Sequence, residues 1–199
     1  MSSHHRYSTA TSYVLLAGTG IYCIVKYTKY DVTDNLDLPL ITFGVIAFHS
    51  LLGVWRWGNP DYGGKISKFF DITSHVRNAL ALSCMTGNMI IKARQDKFFG
   101  ITIPVVSSIP LVMSFTEGCA VNEDFVDLLT AINVIFCGWF SYLDNENMWG
   151  IAAAISYMFA RFGRYAERDI PDEDLSNFAL CFFSYFAYRA CGEITAKVL

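Results

Sequence analysis

Charge is what this sequence has least of. Only 17% of its 199 residues are Asp, Glu, Lys or Arg, where an average soluble domain has about 25%. Residues 98–115, 128–143 and 175–188 contain no charged side chain at all. A helix with one face in water carries charge at every turn of that face. These stretches therefore exclude a soluble helical bundle. Basic runs are also missing: the net charge is −3 and the isoelectric point is near 5.7, which leaves no electrostatic footprint for nucleic acid.

Chemical motifs are equally scarce. The chain has no C-x-x-C, no G-x-S-x-G, no H-E-x-x-H and no phosphate-cradling glycine loop. Of four histidines, His4 and His5 fall in the polar tail at residues 1–12, leaving His49 and His75. A catalytic zinc takes three protein ligands, so no metal, no cofactor and no complete catalytic set is expected. Six cysteines are spread along the chain, five of them inside apolar segments, where they read as small, reduced packing residues. Cys119 lies in a polar loop. No small-residue cleavage site follows the first apolar stretch, which is expected to stay as an anchor.

What is abundant is apolar surface: 53% of residues are hydrophobic, 16% are aromatic, and the mean hydropathy is +0.34. Seven apolar stretches, residues 13–27, 38–57, 69–91, 98–115, 125–143, 148–162 and 175–194, are separated by short polar breaks. A helix needs about 20 residues, and at least roughly 17, to cross a hydrocarbon core of about 30 Å. The pattern predicts an all-α, multi-pass transmembrane bundle of about seven helices forming one domain over residues 13–199. Two stretches fall below the lower length limit, which suits a thin bilayer such as the endoplasmic reticulum. Trp55 and Trp57 beside Arg56, and Tyr27 and Tyr30 beside Lys26 and Lys29, are interfacial anchors by type. Pro104 and Pro110 predict a kink in the fourth stretch, with the freed carbonyls finding partners on neighbours. The tail and loop cations divide six against five between the two sides, so charge sets no orientation.

Gly53-Val-Trp55 with Pro60-Asp61 echoes Gly163-Arg-Tyr165 with Pro171-Asp172. That hints at a repeat of residues 13–91 in residues 125–194, an arrangement common in transporters.

The third stretch carries the densest polar pattern. Asp71, His75 and Asn78, at i, i+4 and i+7, share one helix face, and His49 on the second stretch is placed to reach the same layer. An ionisable residue inside a bilayer is a functional candidate by default, and an Asp–His pair can relay a proton or act as a base. The alternative is that Asp71 to Arg77 is the solvated start of the span. Arg189 and Glu193, at i and i+4, predict a structural ion pair. Asn177, Cys181, Ser184 and Tyr188, and likewise Thr130, Asn133, Cys137 and Ser141, form stripes of the kind that let helices approach and hydrogen-bond.

Beyond the bilayer itself, the pattern points first to a non-enzymatic component that assembles with or chaperones another membrane protein. A small-solute or proton-coupled transporter comes second, and an intramembrane lipid-modifying enzyme third.

Overall fold

Helix starts follow local capping chemistry in the computed structural model, which describes residues 3–29, 37–59, 63–94, 96–117, 122–143, 146–163 and 171–198. Among these residues there are eight helices: α1 (Ser3–Tyr27), α2 (Leu38–Gly58), α3 (Ser67–Arg94), α4 (Lys97–Ser107), α5 (Ile109–Glu117), α6 (Glu123–Leu143), α7 (Met148–Phe162) and α8 (Asp172–Val198). A short 3-10 turn, Gly63–Ile66, precedes α3. Asp96 accepts from the Phe99 backbone N–H (3.0 Å), Asn122 from Phe125 (3.1 Å) and Asn147 from Gly150 (3.3 Å). Each satisfies an amide that the first helical turn leaves unpaired. Pro39 sits in the first turn of α2, where a missing N–H costs nothing.

Two starts differ from the sequence expectation. Residues 3–12, expected as a polar tail, form the first turns of α1, and Thr9 and Ser12 are buried. The fourth stretch is two helices that meet at Ser108 rather than one kinked helix. Pro104 stays inside α4, and Pro110 lies in the first turn of α5. Ser108 caps the break from within, donating through its hydroxyl to the Pro104 carbonyl at 2.8 Å.

Among the described residues, three helices are long and apolar enough to cross a membrane: Tyr7–Tyr27, Leu38–Gly58 and Glu123–Leu143. The others fall short for identifiable reasons. Helix α3 carries Lys68, Asp71, Arg77 and Lys92, the α4–α5 segment is broken, and α7 has only 15 residues.

The packing has a simple plan. Helices α1, α2 and α3 pack in sequence, as do α6, α7 and α8; the two triplets meet where α1 lies on α8 and α3 on α6. Exchanging the triplets maps this pattern onto itself, because α1 on α8 becomes α6 on α3. Neighbours within a triplet are antiparallel. The two contacts between triplets are parallel, as Ser12 with Asp174 and Thr86 with Asn133 illustrate. Helix α4 packs on α3 and touches α6.

Residues 81–90 of α3 are all buried, because α3 has neighbours on every side. One apolar cluster joins Leu16 and Cys23 of α1, Ile46 of α2, Met85 and Met89 of α3, and Tyr157 and Phe183 of α7 and α8. The helices approach closely at glycines. A Cβ on Gly53 would overlap the Tyr13 ring, and one on Gly20 would lie 3.1 Å from the Ala47 Cβ. Large apolar side chains such as Leu51, Trp55, Ile135, Trp139 and Phe182 point outward, each more than half exposed.

Candidate functional site

The start of α1, α3, α6 and α8 and the end of α2 and α7 come together at one end of the bundle. Most of the ionisable side chains singled out above lie there. Arg56 at the end of α2 donates from Nη1 to Asp71 Oδ1 at 3.0 Å, and its guanidinium stacks over the Phe70 ring at 4.5 Å. The Asp71 side chain is 61% exposed, so its pair with Arg56 is of the solvated kind, worth about 0–1 kcal/mol.

His75, one turn further along α3, turns to α6, where its Nδ1 lies 3.6 Å from Glu123 Oε1. That is an electrostatic contact beyond hydrogen-bond range. Glu123 is itself held by Arg161 of α7, whose Nη2 reaches it at 2.5 Å while Nε donates to Asp127 at 2.6 Å. Asn78 accepts from Arg77 at 3.1 Å through its side chain, and its carbonyl accepts from the Tyr157 hydroxyl at 3.4 Å. Together with Leu82, Ser83, Ser107, Thr130 and Asn133 it borders a cavity of about 10 Å³, room for roughly one water centre.

His49 does not join them. It is buried, its Nδ1 is 3.0 Å from the Thr73 hydroxyl, and its ring packs on Phe70 and Tyr13. Thr73 lies two residues beyond Asp71, about 200° round the helix, so His49 meets the opposite side of α3 from the Asp71–His75–Asn78 face. The Thr73 hydroxyl is placed to donate to the Phe70 carbonyl at 2.9 Å, which leaves its oxygen open to accept from His49. That assigns the Nδ1–H tautomer by inference and leaves Nε2 buried with no partner among the described residues. Replacing His49 with leucine removes an unsatisfied acceptor without stranding Thr73. The expected change in Tm is within about 3 °C of wild type; a loss several times larger would mean that Nε2 has a partner.

A second polar cluster gave no hydropathy signal. Asp174 in the first turn of α8 is buried and accepts from Ser8 at 2.6 Å and Ser12 at 3.1 Å, while Asn177 donates to Ser12 at 3.0 Å. The N-terminal end of α8 favours the carboxylate there. The signal that would have found it is Asp174 and Asn177 at i, i+3 beside a run of small hydroxyl residues on α1. Arg161 carries a sequence signal of its own, as the one charged residue in an otherwise apolar α7.

The remaining polar side chains tie helices together one pair at a time. Thr42 donates to the Ala81 carbonyl, Thr86 to Asn133, Asn133 to Ser107, Ser176 to Ala160 and Asn147 to Ala190, at 2.9–3.2 Å. Thr130, Asn133, Cys137 and Ser141 are buried on α6; on α8 Asn177, Ser184 and Tyr188 are buried and Cys181 is half-buried. Arg189 stacks over the Trp149 ring at 4.6 Å. The Glu193 side chain, Pro60-Asp61, Tyr165 and Cys119 lie outside the described residues. Among those described, no three His, Cys, Asp or Glu side chains converge as a metal site would require.

No family model, curated protein or solved structure matches the chain. Function must therefore be argued from this geometry alone.

Proposed function

We propose that the chain is a seven-pass membrane protein, with α4 and α5 together making one pass, and that it acts as a non-enzymatic component that assembles with or chaperones another membrane protein. The membrane part of this reading is supported by the three apolar helices and by the outward-facing aromatic and aliphatic side chains, which water would penalise and lipid does not. The 15 residues of α7 make about 22 Å of helix, which favours a thin bilayer such as that of the endoplasmic reticulum.

One observation carries the assembly reading. The seam between the two triplets, where a pathway or reaction chamber would be expected, is filled with side chains from both sides. Met85 Sδ of α3 lies 4.0 Å from Cys191 Sγ of α8, Tyr157 of α7 stacks edge-on to Phe183 at 5.0 Å, and its hydroxyl reaches across to α3. The buried polar side chains that join helices, such as Thr42, Thr86, Asn133 and Asn147, support a packing role for the interior and point to the outer faces as the working surface. On this reading the Asp71→Ala/His75→Ala double variant stays within about 4 °C of wild-type Tm, since it removes one exposed pair and one contact beyond hydrogen-bond range. It also keeps its partner. The check is a photo-crosslinking residue at Phe159 on the exposed α6–α7 face in native membranes. One discrete polypeptide adduct, retained in the double variant, is expected; adducts to lipid alone would sink the assembly reading.

The transporter reading has one observation of its own, the equivalence of the two triplets in the packing plan. Repeats related about an axis along the membrane normal are a transporter architecture. Solute flux in proteoliposomes that disappears with His75→Ala while Tm is unchanged would promote it.

A further inference from the structure

We propose that the groove between α1 and α8 binds one acyl chain of an anionic phospholipid, with the headgroup held at Lys26. The proposal rests on the membrane reading of α1 given above, but not on the existence of a protein partner.

The groove is a wide, outward-open depression of about 510 Å³, walled by Val14, Leu15, Gly18 and Tyr22 of α1 and Phe182 and Tyr185 of α8. The Thr19 hydroxyl in its α1 wall is spent on the Leu15 carbonyl at 2.9 Å, so the lining is mainly apolar. Five of the large wall residues are more than a third exposed. Gly18, itself exposed, is part of the α1 wall. A Cβ built there would meet nothing within 4 Å, so packing inside the chain does not require a glycine, although glycine in a helix interior costs about 1 kcal/mol against alanine. The space faces outward, toward a ligand.

The packing plan supports the same conclusion. The contact equivalent to α1 on α8 is α6 on α3, and that contact is covered on its flank by α4, with Ser107 bonded to Asn133. The α1–α8 contact has no such cover among the described residues.

Length and charge select the occupant. Val14 to Tyr22 covers about 12 Å of helix axis, close to one leaflet of a hydrocarbon core of about 30 Å. One turn beyond, the Lys26 ammonium sits over the Tyr22 ring at 5.7 Å and forms no ion pair with a described residue. A cation at the mouth of a leaflet-long apolar groove matches a single anionic headgroup above its chain.

The test is native mass spectrometry of the full chain in detergent, titrated with dioleoyl phosphatidylglycerol or dioleoyl phosphatidylcholine. Wild type is expected to retain the anionic lipid about fivefold more tightly, the advantage of one interfacial cation. Lys26→Gln should erase that preference, and Gly18→Leu, which fills the groove, should weaken both lipids. Gly44→Leu, at a glycine whose Cβ also meets open space on α2, should leave both unchanged. Equal wild-type affinities, or a preference that survives Lys26→Gln, would overturn the proposal. So would a discrete polypeptide adduct from a photo-crosslinking residue at Leu15 in native membranes, which would assign the groove to a partner helix. Release of the protein from membranes by alkaline carbonate would remove the membrane reading along with it, whereas retention without lipid preference removes the lipid assignment alone.

Discussion

Gly87→Leu is expected to cost more folded protein than any other single change on α3. A Cβ at Gly87 would overlap the Gly100 carbonyl oxygen of α4, and Leu38 Cδ1 stands 3.1 Å away on the other side. The contact is reciprocal, since a Cβ at Gly100 would lie 2.7 Å from the Gly87 carbonyl oxygen. Two backbones meet here, so no side chain can swing aside to make room. Pro104 explains why the Gly100 carbonyl is available: a proline four residues on has no N–H to bond it, and the oxygen lies against Gly87 instead. Even Gly87→Ala should destabilise by about 2–3 kcal/mol, or roughly 5–10 °C in Tm, despite alanine's better helix propensity. Gly87→Leu should leave little monodisperse protein on size exclusion. Gly138→Ala provides the contrast, because its Cβ meets open space and should hold or raise Tm. If Gly87→Ala melts like Gly138→Ala, the close approach of α3 and α4 is wrong.

The same glycine shows where sequence reading stops. The seven apolar stretches locate every long helix, and residues 148–162 coincide with α7 because Asn147 and Gly163 punctuate its two ends. Hydropathy reports which residues avoid water, however, and says nothing about which polar groups find each other. Helix α1 starts ten residues before Tyr13 because Ser8, Thr9 and Ser12 pack at a polar seam around Asp174 and Asn177, a surface a hydropathy pattern reads as tail. Helical spacing correctly sets Asp71, His75 and Asn78 on one side of α3. It cannot say that Asp71 turns to α2, that His75 turns to α6, or that His49 packs behind them on Thr73. Those partners depend on the rotation of α3 within the bundle, fixed by contacts such as Gly87 with Gly100. The two prolines signalled a disruption in the fourth stretch, and the break falls at Ser108, whose backbone stays in the helical region, because Pro110 has no N–H to give the Val106 carbonyl.

Arg161→Met should bring the second large loss, by a different physical route. The guanidinium holds two carboxylates at once, Glu123 at 2.5 Å and Asp127 at 2.6 Å, and these acids sit at i and i+4 on α6, where they repel each other. Arg161 is largely buried while Glu123 is half exposed, so the expected cost lies between that of a solvated pair and a buried one. About 2 kcal/mol, or roughly 4–8 °C in Tm, is the scale. Arg161→Lys should recover only part of it, because an ammonium cannot present a planar fork to two acids in different directions. Adding Glu123→Gln and Asp127→Asn to Arg161→Met should recover more than half, since the stranded like charges are then gone. Amide exchange gives the spatial check: protection should fall at the end of α7 and the start of α6, while α1 and α8 stay protected. A triple variant that melts no higher than Arg161→Met would mean the arginine acts through its packing rather than its charge. The result also bears on function. A layer that supports the fold loses stability when Arg161 is removed and regains it when the acids are neutralised. A proton-relay layer behaves the other way, keeping its melting point while neutralised acids stop the flux.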